Sequence, residues 1–179
     1  MRRPNLQALP DLSALLPPGY ALREQRPDED MAGLAALLGA AFPKDAWTPE
    51  KARAVLVADA TVKTIFVIEH NAAPVATASA RLLPDTYPGS GYVHWVAAHP
   101  AHQGRRLGYL ATLATLRAFV RLGCRDAVLE TDDFRLPAIK TYRRLGFVPE
   151  FRHPSHPERW AQIEALLARP SAARDQQSS

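Results

Sequence analysis

The chain has 179 residues, a length that favours one compact domain. Its 47% apolar and 22% charged residues are ordinary for a globular protein and exclude a disordered chain, a collagen-like repeat and a coiled coil. The 22 basic and 18 acidic residues leave a net charge of +4, which suits an anionic ligand but is too small to indicate nucleic-acid binding. We therefore expect no nucleic-acid partner.

Apolar periodicity predicts an alternation of strands and helices along the chain. In chain order the sequence predicts a strand at 20–26, helices at 28–42 and 49–57, strands at 63–69, 74–83 and 91–98, a helix after Gly108 that ends at Gly123, a strand at 127–131, a helix at 137–145, a strand at 147–152 and a helix at 157–169. The short link Asn71–Ala73 predicts a hairpin. Together these elements predict an α+β domain at 19–169 with a mixed, mostly antiparallel sheet flanked by helices.

The two ends of the chain are interpreted as peripheral. Residues 1–18 contain four prolines, which break long elements, and are taken as an N-terminal extension. Residues 170–179 are small and polar and are predicted to be a disordered tail.

Cysteine and histidine spacing and the distribution of apolar residues bear on location and cofactors. The single cysteine, Cys124, cannot form an internal disulfide, and no apolar run has the length of a membrane span or a signal peptide. We expect a cytoplasmic protein, monomeric or homodimeric, that does not bind membranes. The His-x-x-His pairs at 99–102 and 153–156 lack a cysteine or carboxylate to complete a tetrahedral set, so no metal is expected.

The turn from His99 to Tyr109 (HPAHQGRRLGY) carries the clearest chemical signal. It precedes a helix start, where unpaired N–H groups at the positive end of the helix dipole bind anions. Its two glycines permit close approach of a ligand, and its two arginines add positive charge. The pattern predicts a phosphate site, with a turn that binds nothing as the alternative. It matches neither the nucleoside-triphosphate loop nor the dinucleotide fingerprint.

Two segments resemble the GNAT acetyltransferase superfamily. Gln103–Gly108 is similar to the family's acyl-CoA pyrophosphate loop, Gln/Arg-x-x-Gly-x-Gly/Ala, with Arg106 where the middle glycine usually stands. Ala138–Phe147 resembles its A-x-x-x-Y-x-x-x-G-F block. Asp132–Pro137 is most similar to mycothiol-synthase-like members, with Arg135 at a position that is commonly Asn. A mycothiol synthase would need two such domains, so that activity is not expected from the one present here.

The resemblance implies a GNAT fold, whose middle strands splay apart, and acetyl-CoA as cofactor. It implies that the pantetheine arm pairs with the strand at Val96–Ala98 and that a backbone N–H near Val96 bonds the thioester oxygen. The cofactor-binding residues it implies are Val96, Ala97, Ala98, Gln103, Gly104, Arg105, Arg106, Leu107, Gly108 and Tyr109. The expected reaction is acetyl transfer to a primary amine of a small molecule or protein, by direct attack in a ternary complex. A non-catalytic acyl-CoA sensor is the alternative.

Three side chains are candidates for proton transfer. Tyr142, from the second motif, is the candidate acid, because a phenol with a reference pKa of about 10 can protonate the leaving thiolate. His94 is a candidate base, which two-residue alternation places on the same face as Tyr92 and Val96. Glu130 is a second candidate base, acting through water. The alternatives are a core aromatic, a half-buried histidine and a solvent-facing carboxylate. The acceptor is not determined by the sequence.

Overall fold

The structure is a computed structural model that describes residues 1–169, so the predicted tail at 170–179 lies outside the described residues. The described chain forms one sheet in the order β1-β6-β5-β4-β3-β2, in which β5 and β6 are parallel and the other neighbours antiparallel. The strands are β1 (Arg2–Arg3), β2 (Tyr20–Glu24), β3 (Val62–His70), β4 (Ala73–Leu82), β5 (Ser90–Ala98) and β6 (Asp126–Val128). The helices are α1 (Met31–Ala41), α2 (Pro49–Ala52, continued by a π-helical turn at Arg53–Val57), α3 (Leu107–Arg121), α4 (Leu136–Arg144) and α5 (His156–Ala168). The predicted mixed, mostly antiparallel sheet flanked by helices is confirmed.

The β3–β4 hairpin forms where the sequence predicts it. Asn71 and Ala72 both adopt left-handed conformations, with φ of 51° and 63°, which matches the two-residue turn that suits the twist of paired strands. Ala73 already belongs to β4 and pairs with His70, so the turn is one residue shorter than expected.

The middle of the sheet opens between β5 and β6. Parallel pairing joins Ser90–Tyr92 of β5 to the whole of β6 and ends at Val128. β5 continues to Ala98 along β4, whereas the chain after Val128 leaves the sheet. The strand predicted to reach residue 131 is therefore shorter, and the two strands diverge as the family resemblance implies.

A β-bulge at Trp95 changes which side chains share a face of β5. The register between β4 and β5 shifts by one residue between the pairs Thr77–Ala97 and Ser79–His94, and Trp95 has a φ of 44°. The His94 ring lies beside the rings of Tyr92 and Trp95, whereas the Val96 side chain packs against the apolar cluster of α3. The prediction that His94 shares a face with Tyr92 is confirmed, and the prediction that it shares one with Val96 is wrong, because the inserted residue reverses the alternation.

The N-terminal residues pair with the sheet. Arg2 and Arg3 form β1 on the outer edge of β6, Arg2 also bridges to Val148, and the Leu6 side chain is buried. The strand predicted at 147–152 is wrong apart from that single bridge. β1 lies between Val148 and β6, because Arg2 pairs with both Val128 and Val148, and Pro149 has no N–H to offer a ladder.

Helix α3 crosses the sheet over Gly91. A Cβ built on Gly91 would lie 2.2 Å from Cγ of Phe119, a side chain that is fully buried. Only glycine allows this close contact between strand and helix. The contact fixes the height of α3 above the sheet and therefore the position of the turn that leads into it.

We expect Gly91→Ala to lower the free energy of unfolding by about 1–3 kcal/mol, because the methyl group overlaps a ring that cannot move. Gly108→Ala is the control, since a Cβ there meets nothing within 4 Å, and a helical alanine is favourable. Urea denaturation measures both variants. Equal stabilities would contradict the packing argument.

The turn between β5 and α3 contains two left-handed residues. Gly104 has a φ of 80° and Arg106 a φ of 59°, the second directly before the helix begins at Leu107. Glycine adopts this conformation freely, whereas a residue with a Cβ pays about 1–2 kcal/mol.

We expect Arg106→Gly to raise the free energy of unfolding by about 0.5–1 kcal/mol, the relief of strain exceeding the entropy that glycine gains in the unfolded chain. Arg105→Gly is the matched control, because Arg105 is not among the residues with positive φ, and it should be destabilising. Thermal or urea unfolding measures the sign of the change in the free energy of unfolding for each variant. A loss of stability in both variants would contradict the strain argument.

Candidate active site

The opening between β5 and β6 leads into a cavity of about 370 Å³. Its walls come from β5, from the segment that follows β6, from α4 and from the link between α1 and α2. The lining residues are Phe42, Asp45, Arg81, Tyr92, Val93, His94, Trp95, Val96, Leu129, Glu130, Thr131, Asp132, Arg135 and Tyr142. The cavity therefore brings together the three predicted proton-transfer residues and Val96.

Tyr142 lies on α4 with its ring buried and its edge against Phe147, at 6.0 Å between ring centroids. Burial raises the pKa of Tyr142 to about 12. The phenol consequently keeps its proton across the neutral and moderately alkaline range, which is the state that a proton donor needs.

His94 presents one ring nitrogen to the interior. Its Nδ1 is buried and has no hydrogen-bond partner within residues 1–169, while the side chain lines the cavity. Burial, and then the nearby Arg81 guanidinium, lower the pKa of His94 to about 4. Arg81 forms an ion pair with Asp59 at 2.9 Å. The Asp59 carboxylate raises the pKa of His94 and so offsets part of the lowering caused by Arg81. His94 is thus a neutral imidazole at pH 7.

Glu130 lies exposed on the segment after β6 and is held by a tyrosine. The Tyr87 hydroxyl donates to Oε1 of Glu130 at 2.7 Å. Burial raises the pKa of Tyr87 to about 12 and the carboxylate adds to this, so the hydroxyl stays a donor. Tyr92, whose ring centroid lies 5.7 Å from that of Tyr87, has its pKa raised to about 12 by burial and by the same carboxylate. Glu130 is therefore a fixed acceptor at the edge of the cavity.

The predicted phosphate turn is open to a ligand. Gln103, Gly104, Arg105 and Arg106 are exposed, and a Cβ at Gly104 or Gly108 would meet nothing within 4 Å. The N–H of Leu110 donates to the Arg106 carbonyl at 3.0 Å, so the N–H groups of the three preceding residues lie at the open end of α3. This is the geometry of a helix-terminal anion site.

A second cavity, of about 410 Å³, adjoins this turn. It is lined by Gly104, Arg106, Tyr109, Thr141 and Arg144. Thr141 borders this second cavity and Tyr142 borders the first, so consecutive residues of α4 line the two cavities. The chain thus provides a basic recess beside the helix start and a separate cavity that the buried phenol of Tyr142 lines.

The other predicted cofactor residues do not present side chains to the first cavity. The Ala97 side chain is buried in the cluster under α1, Ala98 packs against the apolar residues of α3, and Leu107 is buried in the core. Any contact they make with a ligand would be through the backbone.

Sequence analysis did not single out Arg81, Trp95 or Phe42 as cavity residues. Trp95 packs edge-on against Phe42 at 5.1 Å, and the Arg135 guanidinium lies 4.2 Å over the Phe42 ring. A prediction of the β4–β5 register would have found Arg81, which pairs with Tyr92. No residue pattern indicates the bulge that brings Trp95 to the cavity wall.

No three His, Cys, Asp or Glu side chains in the part of the chain that the structure describes are grouped to hold a metal ion. The helices within residues 1–169 are all too short or too polar to cross a bilayer.

Comparisons with known proteins identify the family of the chain. The model of the acetyltransferase (GNAT) family matches residues 31–147. A mycothiol acetyltransferase from Nocardia farcinica is 33% identical over 152 residues, which cover 79% of this chain and 48% of that protein. The chain thus spans about half the length of this curated relative. The resemblance to mycothiol-synthase-like members is confirmed at the level of homology.

Solved structures share the fold. The ribosomal-protein-S18-alanine N-acetyltransferase from Escherichia coli superimposes with a TM-score of 0.61 at 16% identity, over 74% of this chain and 79% of that one. An aminoglycoside N-acetyltransferase in complex with CoA gives a TM-score of 0.64 at 15% identity, over 75% and 91%. With the family match covering most of the described chain, these findings establish that the chain belongs to the GNAT family of acetyltransferases.

Proposed function

We propose that this chain transfers an acetyl group from acetyl-CoA to a primary amine by direct attack in a ternary complex. The observation that carries the proposal is the gap between β5 and β6, which opens onto a cavity ending at a buried, protonated tyrosine. The open start of α3 borders the second cavity, which Thr141 lines, and the next residue of α4, Tyr142, lines the first. The names of the relatives support acetyl transfer as the reaction class.

The edge of β5 beyond Tyr92 suits the pantetheine arm. β6 has ended there, so the backbone groups of Val93–Ala98 on that edge can pair with the arm's amides as with an added strand. The bulge at Trp95 shifts the backbone next to Val96, where an N–H would bond the thioester oxygen.

The turn and the second cavity suit the nucleotide end of the cofactor. The N–H groups at the start of α3 would bind the pyrophosphate, with Arg105 and Arg106 beside them. Arg144 and Thr141 lie across the recess and could take a further phosphate. The left-handed conformation of Arg106 keeps the backbone geometry that a glycine would give.

In the reaction, the amine lone pair attacks the acetyl carbonyl carbon and the carbon–sulfur bond breaks. The departing thiolate takes the phenolic proton of Tyr142, and the nitrogen loses a proton as the amide forms. His94 and Glu130 are the candidate acceptors of that proton. His94 is neutral but weakly basic, so it would act late, once bond formation has acidified the nitrogen.

Binding tests the cofactor site directly. We expect acetyl-CoA and CoA to bind saturably in calorimetry and Arg105→Glu to raise Kd by about tenfold or more, because a charge-assisted contact becomes a repulsion. Arg121→Glu, at the opposite end of α3, is the matched control and should leave Kd unchanged. No binding at near-millimolar ligand would overturn the proposed function.

Turnover tests the acid. We expect Tyr142→Phe to lower kcat by about 10²-fold with little change in acetyl-CoA affinity, since only the donated proton is lost. Because the pKa of Tyr142 is raised to about 12, the phenol stays protonated below pH 10. The pH profiles of the wild type and of Tyr142→Phe should therefore have the same shape up to pH 10. Thiol release with a panel of amines measures both. Cofactor binding without turnover on any amine would favour the acyl-CoA sensor instead.

A further inference from the structure

Two buried polar atoms face one another across the β4–β5 ladder. Ser79 and His94 are direct cross-strand partners and lie on the same face of the sheet. Ser79 is fully buried, with 0% of its surface exposed. Neither Ser79 Oγ nor His94 Nδ1 has a hydrogen-bond partner among the 169 described residues.

Buried polar groups of folded proteins are almost always hydrogen-bonded to protein or to internal water. The Cβ atoms of cross-strand partners lie about 4.5–5.5 Å apart, a separation that one water molecule can bridge between the two side chains. We propose that Ser79 is a positioning residue for His94 and that a buried water links Ser79 Oγ to Nδ1. The proposal rests on the proposed function, in which His94 receives the proton of the amine.

The surrounding charges select the tautomer of His94. Arg81 lines the cavity and pairs with Asp59; Asp45 and Glu130 also line the cavity, and the Tyr92 hydroxyl group is uncharged. The positive charge of the guanidinium on the cavity side favours the tautomer that keeps a lone pair, and no proton, on Nε2. Nδ1–H then donates inward to the water, which donates to Ser79 Oγ. This arrangement leaves Nε2 free to take the proton of an amine in the cavity.

A second buried hydroxyl on the same face of β4 forms its hydrogen bond directly with the protein. Thr77 lies two residues from Ser79 on the same face and is equally buried, and its hydroxyl donates to the Phe66 carbonyl at 2.8 Å. Ser79 has no such contact among residues 1–169. Thr77→Val therefore removes a buried hydroxyl from the same strand without touching His94, and it is the matched control.

The test is ¹⁵N NMR of the histidine nitrogens in the full chain, with kinetics in parallel. We expect His94 to carry its proton on Nδ1 in the wild type. In Ser79→Ala we expect the nitrogen shifts to move toward the Nε2–H tautomer, and kcat to fall roughly tenfold at unchanged KM for the amine. Ser79→Cys replaces the hydroxyl with a group of similar volume that forms only weak hydrogen bonds. It should give the same changes in the nitrogen shifts and in kcat, and it serves as the test if Ser79→Ala folds poorly. Thr77→Val should change neither the shifts nor kcat.

An Nε2–H tautomer in the wild type, or nitrogen shifts that are the same in Ser79→Ala, would overturn the proposal. So would a changed tautomer with unchanged kcat, because Ser79 would then touch His94 without serving the reaction. The shifts need no turnover, and acetyl-CoA binding is measured separately. Failure of the proposed function is therefore distinguishable from failure of this inference.

Discussion

The structure depends on the divergence of two parallel strands. β5 and β6 pair for three residues and then part, which leaves the far half of β5 with one edge free of β6. Backbone N–H and C=O groups on such an edge require partners, so an unpaired edge inside a fold is a place for a ligand. The bulge at Trp95 lies within this free half and turns two consecutive side chains, His94 and Trp95, toward the same wall. The candidate site exists because the sheet is interrupted at this point.

The remaining elements hold the divergence in place. β1 covers the outer edge of β6, so the short β6 is paired on both sides where it meets β5. On the sheet face, Phe119 of α3 packs directly on Gly91, just before the strands part. The same helix presents its open N-terminus beside the second cavity. One helix thus links the packing of the core to the geometry of the anion site.

The cavity sorts its titratable groups by burial. Tyr142 is buried and keeps its proton, whereas His94 is half-buried near a guanidinium and stays neutral. Glu130 is exposed and fixed by the Tyr87 hydroxyl. A donor that keeps its proton beside a neutral imidazole is what the proposed acyl transfer to an amine requires. In that proposal the surroundings of each side chain, more than its identity, decide its role.

The sequence by itself determined the order of the elements from β2 to α4, the hairpin at Asn71, the turn before α3 and the family. These follow from local periodicity, from turn chemistry and from two short motifs, each contained within a few neighbouring residues. Tyr142 was predicted as a candidate acid because its motif is also contained within a few neighbouring residues. Its place in the cavity with His94 and Glu130 agrees with that expectation, although their catalytic roles remain proposals.

Only the tertiary structure decided the rest. The bulge at Trp95 depends on the pairing of β5 with β4 and on the packing of its ring, and a bulky residue gives no sign of a left-handed φ. The strand expected at 147–152 is reduced to a single bridge between Val148 and Arg2, a partner at the far end of the chain that no local window contains. Two properties arise from neighbours distant in sequence: Ser79 Oγ has no hydrogen-bond partner among residues 1–169, and the pKa of His94 is low. Strand register and burial are properties of the assembled sheet, and they decide which chemistry each residue can perform.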